Sequence, residues 1–289
     1  MKSISMKAYA KINLALDVIG VLDNGYHEVS MIMQTVGMYD KVTLFVTDTG
    51  RIDIRTNRSF LPTGPDNLVY KAAKLLMDEF GIKKGLIIDL YKYIPVAAGM
   101  AGGSTDAAAV LKGLNELFRL GLSEKELMER GTKIGADVPY CIMGGTALAQ
   151  GIGEKLTRIS PCPECFIVVG KPPISVSTKY VYDNLVLDEN TKHPDVDGMV
   201  DALAREDIDA VCKGLCNVLE EVTIREHPVI AEIKERMLSM GAKGVLMSGS
   251  GPTVFGIFYD EESAKVCESV LKEENLARNV YVTIPVNCV

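Results

Sequence analysis

One stretch constrains this chain more than any other: PVAAGMAGGSTDAAAVLKGLNELF, Pro95 to Phe118. Gly99, Gly102 and Gly103 cluster ahead of Ser104, Thr105 and Asp106, and an apolar helical run follows. Glycine loses more conformational entropy on folding than any other residue, so such a cluster needs a reason. One reason is close approach of bare backbone to a ligand. The first N–H groups of a helix lack intrahelical partners and carry the positive end of the macrodipole, which suits a phosphate. The other reason is a small-residue helix end packed tightly on a sheet. The loop alone leaves both open. Under the phosphate reading, Gly102 and Gly103 are expected to take positive φ. A Walker A loop is excluded because no lysine precedes Ser104, and the glycine spacing is not that of a dinucleotide fingerprint.

The chain has 289 residues, room for one large domain or two medium ones, and 47% of them are hydrophobic, enough for a sizeable core. Its net charge of −7 argues against a broad nucleic-acid footprint. The opening MKSISMKAYAKINLALDVIG alternates apolar with polar residues, so neither a signal peptide nor a membrane span is expected. The seven cysteines form no small-scaffold pattern and point to a reducing cytoplasm. Cys162 and Cys165 make a CxxC, and Cys212 and Cys216 lie four apart. Zinc is conceivable on four thiols, but the loose second spacing and the lack of a supporting histidine favour buried, reduced thiols.

Alternating apolar residues predict strands over SMKAYAKINLALDVI, KVTLFVT and RIDIRTN, with Asn-Gly in DNGYH as a tight turn. DNLVYKAAKLLMDEFG reads as a helix capped by Asp66 and stopped by Gly81. GLIIDLYKYIP is a strand entering the glycine loop. Helices are expected from Ser104 to about Leu120 and from Ser123 to about Ile134, where SEKE resembles a capping arrangement. GTALAQG and CFIVVG are strands. Helical segments follow around Thr178 to Leu185 and Gly198 to Leu219. The tail reads as a helix ending at Gly241, two strands about a Gly-Ser-Gly turn, a helix and a strand. From CFIVVG onward this is the order of a ferredoxin-like split βαβ unit.

Four stretches carry candidate chemistry. AKINL sets Lys11 and Asn13 two apart on one strand face. The glycine loop is the second, GADVPY with Asp137 the third, and the turn SGSGPT the fourth. Singly, each has a bland explanation: a solvated lysine, a turn aspartate before Pro139, a hairpin glycine. Together and in this order, with DNGYHEV and PDNLVYKAA, they resemble the GHMP kinase superfamily across nearly the whole chain.

That resemblance implies an α+β fold of two-layer domains. A ribosomal-protein-S5-like ATP-binding and catalytic domain would span 1–159, and a ferredoxin-like substrate domain 160–289. It implies ATP and Mg2+ as cofactors and a small alcohol as acceptor. GYH and the double glycine are the features of a member whose acceptor carries a cytidine diphosphate. Asp137 would take the proton of the acceptor hydroxyl, and Lys11 would stabilise charge on the transferred group. Asn13 would anchor the substrate. Pro95, Ala98, Gly99, Met100, Ala101, Gly102, Gly103, Ser104 and Thr105 would surround the ATP phosphates, with Asn67 and Lys92 beside the adenine. Tyr26 and Tyr182 would sandwich the cytosine, His27 would bond its edge, and Thr178 would reach the diphosphate. Mevalonate and homoserine kinases carry Ser-Ser where this chain has Gly102 and Gly103, so the metal ligands are unknown, with Ser104 and Thr105 as stand-ins. No nucleic acid or membrane partner is expected, and the assembly would be a monomer or homodimer. Rival readings are another kinase of the superfamily, a dinucleotide-binding oxidoreductase and an RNA-binding module. The antiparallel-looking N-terminus counts against the second. The net charge and the co-occurrence of Lys11 with Asp137 count against the third.

Overall fold

The computed structural model describes residues 2–22, 25 and 27–287. Two compact units share the chain: one holds residues 1–10, 38–96 and 101–143, the other 11–37, 97–100 and 144–289. The division is therefore not a single cut along the sequence. Two long strands, β1 (Ser3–Val21) and β2 (His27–Thr47), contribute residues to both units. The Asn-Gly turn expected between them falls on Asp23, Asn24 and Tyr26, which lie outside the described residues.

In the first unit, β3 (Ile52–Thr56) follows β2. Helix α1 (Leu68–Glu79) leads to β4 (Gly85–Tyr91), which pairs antiparallel with the end of β2 and parallel with β3. Helices α2 (Gly102–Phe118), α3 (Glu124–Gly131) and α4 (Val138–Met143) follow. Val69, Ala72, Ala73 and Leu76 of α1 recur at helical spacing and bury one face. They meet the small-residue face of α2 and the sheet residues Leu44, Leu86 and Ile88 in one apolar core. The cap of α1 is Asn67, not Asp66: its Oδ1 accepts the Val69 N–H at 3.0 Å. Gly81, at φ +61°, follows the helix end as expected. Ser123 and Glu126 form the anticipated capping box on α3.

In the second unit, the first part of β2 pairs with β5 (Thr146–Gly151), which pairs with β6 (Lys155–Arg158). Then come β7 (Phe166–Lys171), α5 (Thr178–Asp183), α6 (Val196–Ala204), α7 (Ile208–Gly214) and β8 (Cys216–Asn217). The single helical segment expected from Gly198 to Leu219 is thus broken. Asp207 caps α7 by accepting the Ala210 N–H, and β8 pairs parallel with Ala15 and Leu16 of β1. Glu206, left-handed at φ 55°, ends the first helix, and Asp207 starts the next because its side chain bonds a backbone N–H that the helix leaves free.

The tail comprises α8 (Glu220–Glu226), α9 (Val229–Ser239), β9 (Gly244–Met247), β10 (Val254–Phe258), α10 (Glu261–Glu273) and β11 (Asn279–Thr283). Here β11, β7, β10 and β9 form an antiparallel sheet in that order. With α9 and α10 as the connecting helices, this is the ferredoxin-like split βαβ arrangement. The fold is α+β. No helix among the described residues is long and apolar enough to cross a membrane.

Candidate active site

The strand alternation places Lys11 and Asn13 together, as expected. The Lys11 ammonium donates to Asn13 Oδ1 at 2.7 Å, and both side chains are buried, Lys11 only 6% exposed. The Lys11 backbone N–H donates to the Met100 carbonyl at 3.3 Å and ties this strand to the glycine loop. Gly99 has φ +69°, and a Cβ there would fall 2.2 Å from the Ser248 carbonyl oxygen, so only glycine fits. Ser248 Oγ donates back to the Gly99 carbonyl at 2.9 Å. The SGSGPT turn is therefore built against the loop, with Gly249 and Gly251 also at positive φ.

Asn217 clamps that turn. Its Nδ2 donates at 2.8 Å to the carbonyls of both Met247 and Gly249, and its Oδ1 accepts the Leu219 N–H. Thr223 Oγ1 donates to the Ser250 carbonyl at 3.3 Å. Sequence reasoning missed Asn217. The signal present was one amide inside the apolar run Leu215 to Leu219, a polar group that must find partners when buried.

His27 and Tyr182 meet, with ring centroids 4.9 Å apart at an interplanar angle of 51°. Tyr182 sits on α5, whose cap Ser177 accepts the Tyr180 N–H. Tyr26, the other expected stacking ring, lies outside the described residues. Thr178 Oγ1 lies 2.8 Å from Ser250 Oγ, so its hydroxyl faces the SGSGPT turn.

In the first unit, α2 starts at Gly102, two residues before the expected Ser104. Ala101 is its cap, at φ 55°, and no side chain caps it. The first helical bond runs from the Thr105 N–H to the Ala101 carbonyl, so the N–H groups of Gly102, Gly103 and Ser104 have no helical partner. Positive φ falls on Ala97, Gly99 and Ala101 rather than on Gly102 or Gly103, which are already helical. A left-handed alanine costs roughly 1–2 kcal/mol, and such strain concentrates at functional loops. Gly103 is exposed; Pro95, Gly102 and Ser104 are half-buried; Ala98 and Met100 are buried. The Thr105 hydroxyl is committed to the Tyr9 carbonyl at 2.7 Å. Ser104 Oγ instead lies beside Gly135, 4.0 Å from where a Cβ on that residue would stand. Two residues on, half-buried Asp137 opens α4 by accepting the Cys141 N–H with its carbonyl.

The side chains of the two residues expected beside the adenine have hydrogen-bond partners within the protein. Asn67 spends its side chain on the α1 cap and the Pro62 carbonyl. The Lys92 ammonium is buried, donating to Asp40 Oδ2, to Asp106 Oδ2 at 2.6 Å and to the Gly102 carbonyl at 3.1 Å. An ammonium has three donors, so none is left for a base. Burial pushes the Asp106 carboxyl well above the usual carboxylate range; Lys92 opposes this and Asp40 adds to it.

Cys162, Cys165 and Cys212 are buried. The Cys165 contact and burial push the Cys162 thiol up, and burial pushes Cys212 to about 12, so both are protonated near neutrality. Among the described residues, no three His, Cys, Asp or Glu side chains group as a metal cage.

The sequence matches the family descriptions "GHMP kinases N terminal domain" over residues 67–145 and "GHMP kinases C terminal" over residues 199–275. The chain belongs to the GHMP kinases and is an ATP-dependent phosphotransferase. Within that family it is similar to the curated 4-diphosphocytidyl-2-C-methyl-D-erythritol kinases. The relative from Lachnoclostridium phytofermentans is 58% identical over 265 residues, 92% of this chain and 91% of the relative. The one from Lachnospira eligens is 53% identical over 98% of both chains. A crystal structure of 4-(cytidine 5'-diphospho)-2C-methyl-D-erythritol kinase superposes with a TM-score of 0.84 at 31% identity, covering 98% of this chain and 99% of that one.

Proposed function

We propose that this chain transfers the γ-phosphoryl group of ATP to a hydroxyl of 4-diphosphocytidyl-2-C-methyl-D-erythritol, the 2-hydroxyl by resemblance, in non-mevalonate isoprenoid precursor synthesis. The observation that carries the reading is the 58% identity, over 92% of the chain, to a relative of that name. Residue roles follow the physics of phosphoryl transfer, which is mostly positioning and charge stabilisation. Asp137 accepts the proton of the attacking hydroxyl. Lys11, oriented by Asn13, stabilises negative charge on the transferred group. Asn13 turns the substrate toward that centre. The free N–H groups of Gly102, Gly103 and Ser104 hold the ATP phosphates, and the strained run from Ala98 to Ala101 sets their direction. His27 and Tyr182, with Tyr26, enclose the cytosine, and Thr178 meets the diphosphate.

The residues fit Mg2+ held largely by the nucleotide, since this ion keeps phosphate and water oxygens and needs only one or two protein ligands. Ser104 Oγ, next to the turn that carries Asp137, is the group of this chain that would hold it, because Thr105 is committed to Tyr9. When bound, the metal would supply charge neutralisation on the phosphates. The proposed ATP-binding residues lie within 1–159, the proposed substrate-binding residues lie on both sides of 159, with Asn13 and His27 before it and Thr178 and Tyr182 after it, and the reaction runs in the cytoplasm.

The test is kcat/KM for ATP-dependent phosphorylation of the cytidyl substrate, mevalonate, homoserine and galactose. The cytidyl substrate is expected to exceed the others by at least about 10³-fold, because a site with paired polar groups rejects ligands that leave them unpaired. Preference for any other acceptor overturns the reading.

A further inference from the structure

We propose that Asp40, Lys92 and Asp106 form a buried positioning cluster that aims the first N–H groups of α2 at the ATP phosphates. The inference rests on the kinase reading above and assigns these residues a role beneath the site rather than in contact with the nucleotide.

The cluster is dry. Lys92 is 3% exposed, Asp40 0% and Asp106 2%. Each part is fixed from a different element. Asn57 grips the Lys92 backbone from both sides: Oδ1 accepts its N–H at 2.8 Å and Nδ2 donates to its carbonyl at 3.2 Å. Asp40, on β2, accepts the N–H groups of Tyr93 and Ile94 with Oδ1 and the Lys92 ammonium with Oδ2. Asp106, one turn into α2, accepts the ammonium with Oδ2 and leaves Oδ1 without a partner.

The remaining ammonium donor decides the function. It goes to the Gly102 carbonyl, in the first turn of α2. That carbonyl and the Gly103 N–H belong to one planar trans peptide and point in opposite directions. A cation anchored on the buried oxygen therefore turns the Gly103 N–H outward, at an exposed position. It also polarises the peptide, which strengthens the N–H as a donor. The helix has no side-chain cap to do this work.

Stability alone is a weak reason for such a cluster. Buried ion pairs are often matched or bettered by apolar residues of similar volume, because desolvation offsets their attraction. Removing one partner, by contrast, leaves an uncompensated charge. A positioning role accounts for keeping three ionisable groups at the uncapped start of α2.

The experiment compares the wild type, Lys92→Met, and the double variant Lys92→Met with Asp106→Asn, which also removes one of the two facing carboxyls. Folding is checked by circular dichroism. KM and kcat are measured for ATP and for the cytidyl substrate, and ATP affinity by calorimetry. In whichever variant folds, KM and Kd for ATP should rise at least about tenfold, the scale of one charge-assisted hydrogen bond. KM for the cytidyl substrate should stay within about twofold, which a general loss of packing would not allow. A folded variant with normal ATP affinity overturns the proposal, as does an equal rise in both KM values. If neither variant folds, the cluster is a requirement of the fold and the positioning role is wrong. An inactive wild type would overturn the kinase reading itself, whereas an active wild type with unaffected variants overturns only this inference.

Discussion

Asp137 and Lys11 carry the proposed chemistry, and they separate by what each removes. Asp137→Asn keeps the shape and deletes the proton acceptor. Turnover should fall by roughly 10²-fold or more, with ATP affinity nearly unchanged. Near-normal turnover in steady-state assays would remove Asp137 from the mechanism. Lys11→Met should also lower kcat, because transition-state charge loses its partner. Tyr182 tests the base pocket. Tyr182→Phe keeps the ring face and should bind the cytidyl substrate almost normally. Tyr182→Ala should weaken it by about 1–3 kcal/mol, or roughly 5- to 150-fold, with ATP unaffected in parallel titrations. Single residues were legible where the signal was local. Lys11 and Asn13 lie two apart on a strand, and alternation alone puts them on one face. Lys92 was not legible, because its partners Asp40 and Asp106 lie 52 and 14 residues away and a lone lysine in LYKYIP gives no sign of burial. Asn67 was placed beside a ligand by resemblance, while its capping bond is a matter of which of two adjacent polar residues faces the helix.

Helix α2 and the loop before it are where sequence and structure differ most instructively. The glycines marked the loop correctly, but the helix starts two residues earlier and the left-handed backbone falls on Ala97, Gly99 and Ala101. Alanine at positive φ is invisible to a reading that looks for glycine there. Gly99→Ala should destabilise the protein by more than about 1–2 kcal/mol in urea unfolding, since backbone strain adds to the clash with Ser248. Gly103→Val is the complementary case. A Cβ there meets only Leu68 Cδ1, at 3.5 Å, so the fold should survive while the branched side chain crowds the phosphates and ATP affinity falls. Normal ATP affinity in folded Gly103→Val would make the loop a packing device. Ser123→Ala should cost about 1 kcal/mol, because it breaks the capping box on α3, and leave both KM values unchanged. That box was legible as Ser-x-x-Glu. The break between α6 and α7 had a local signal in the charged run Arg205, Glu206 and Asp207, whereas the two-residue β8 had none, since only tertiary pairing with β1 picks out that strand.

For the molecule as a whole, the order of elements in the tail announced a split βαβ unit, and the strand order β11-β7-β10-β9 follows from it. The interleaving of the two compact units was not legible, because β1 and β2 read as ordinary strands until their lengths of 19 and 21 residues are seen. The superfamily motifs were legible because each is short, local and tied to backbone geometry that few residues satisfy. The substrate is a property of the assembled protein, and product analysis tests it. The wild-type chain is incubated with ATP, Mg2+ and 4-diphosphocytidyl-2-C-methyl-D-erythritol, and the products are followed by phosphorus NMR. One new phosphomonoester signal should grow in step with ADP, one for one, with two-dimensional coupling placing it on the 2-hydroxyl carbon. ADP without a new phosphoester, or a phosphoester formed only when mevalonate, homoserine or galactose is supplied, would contradict the assignment.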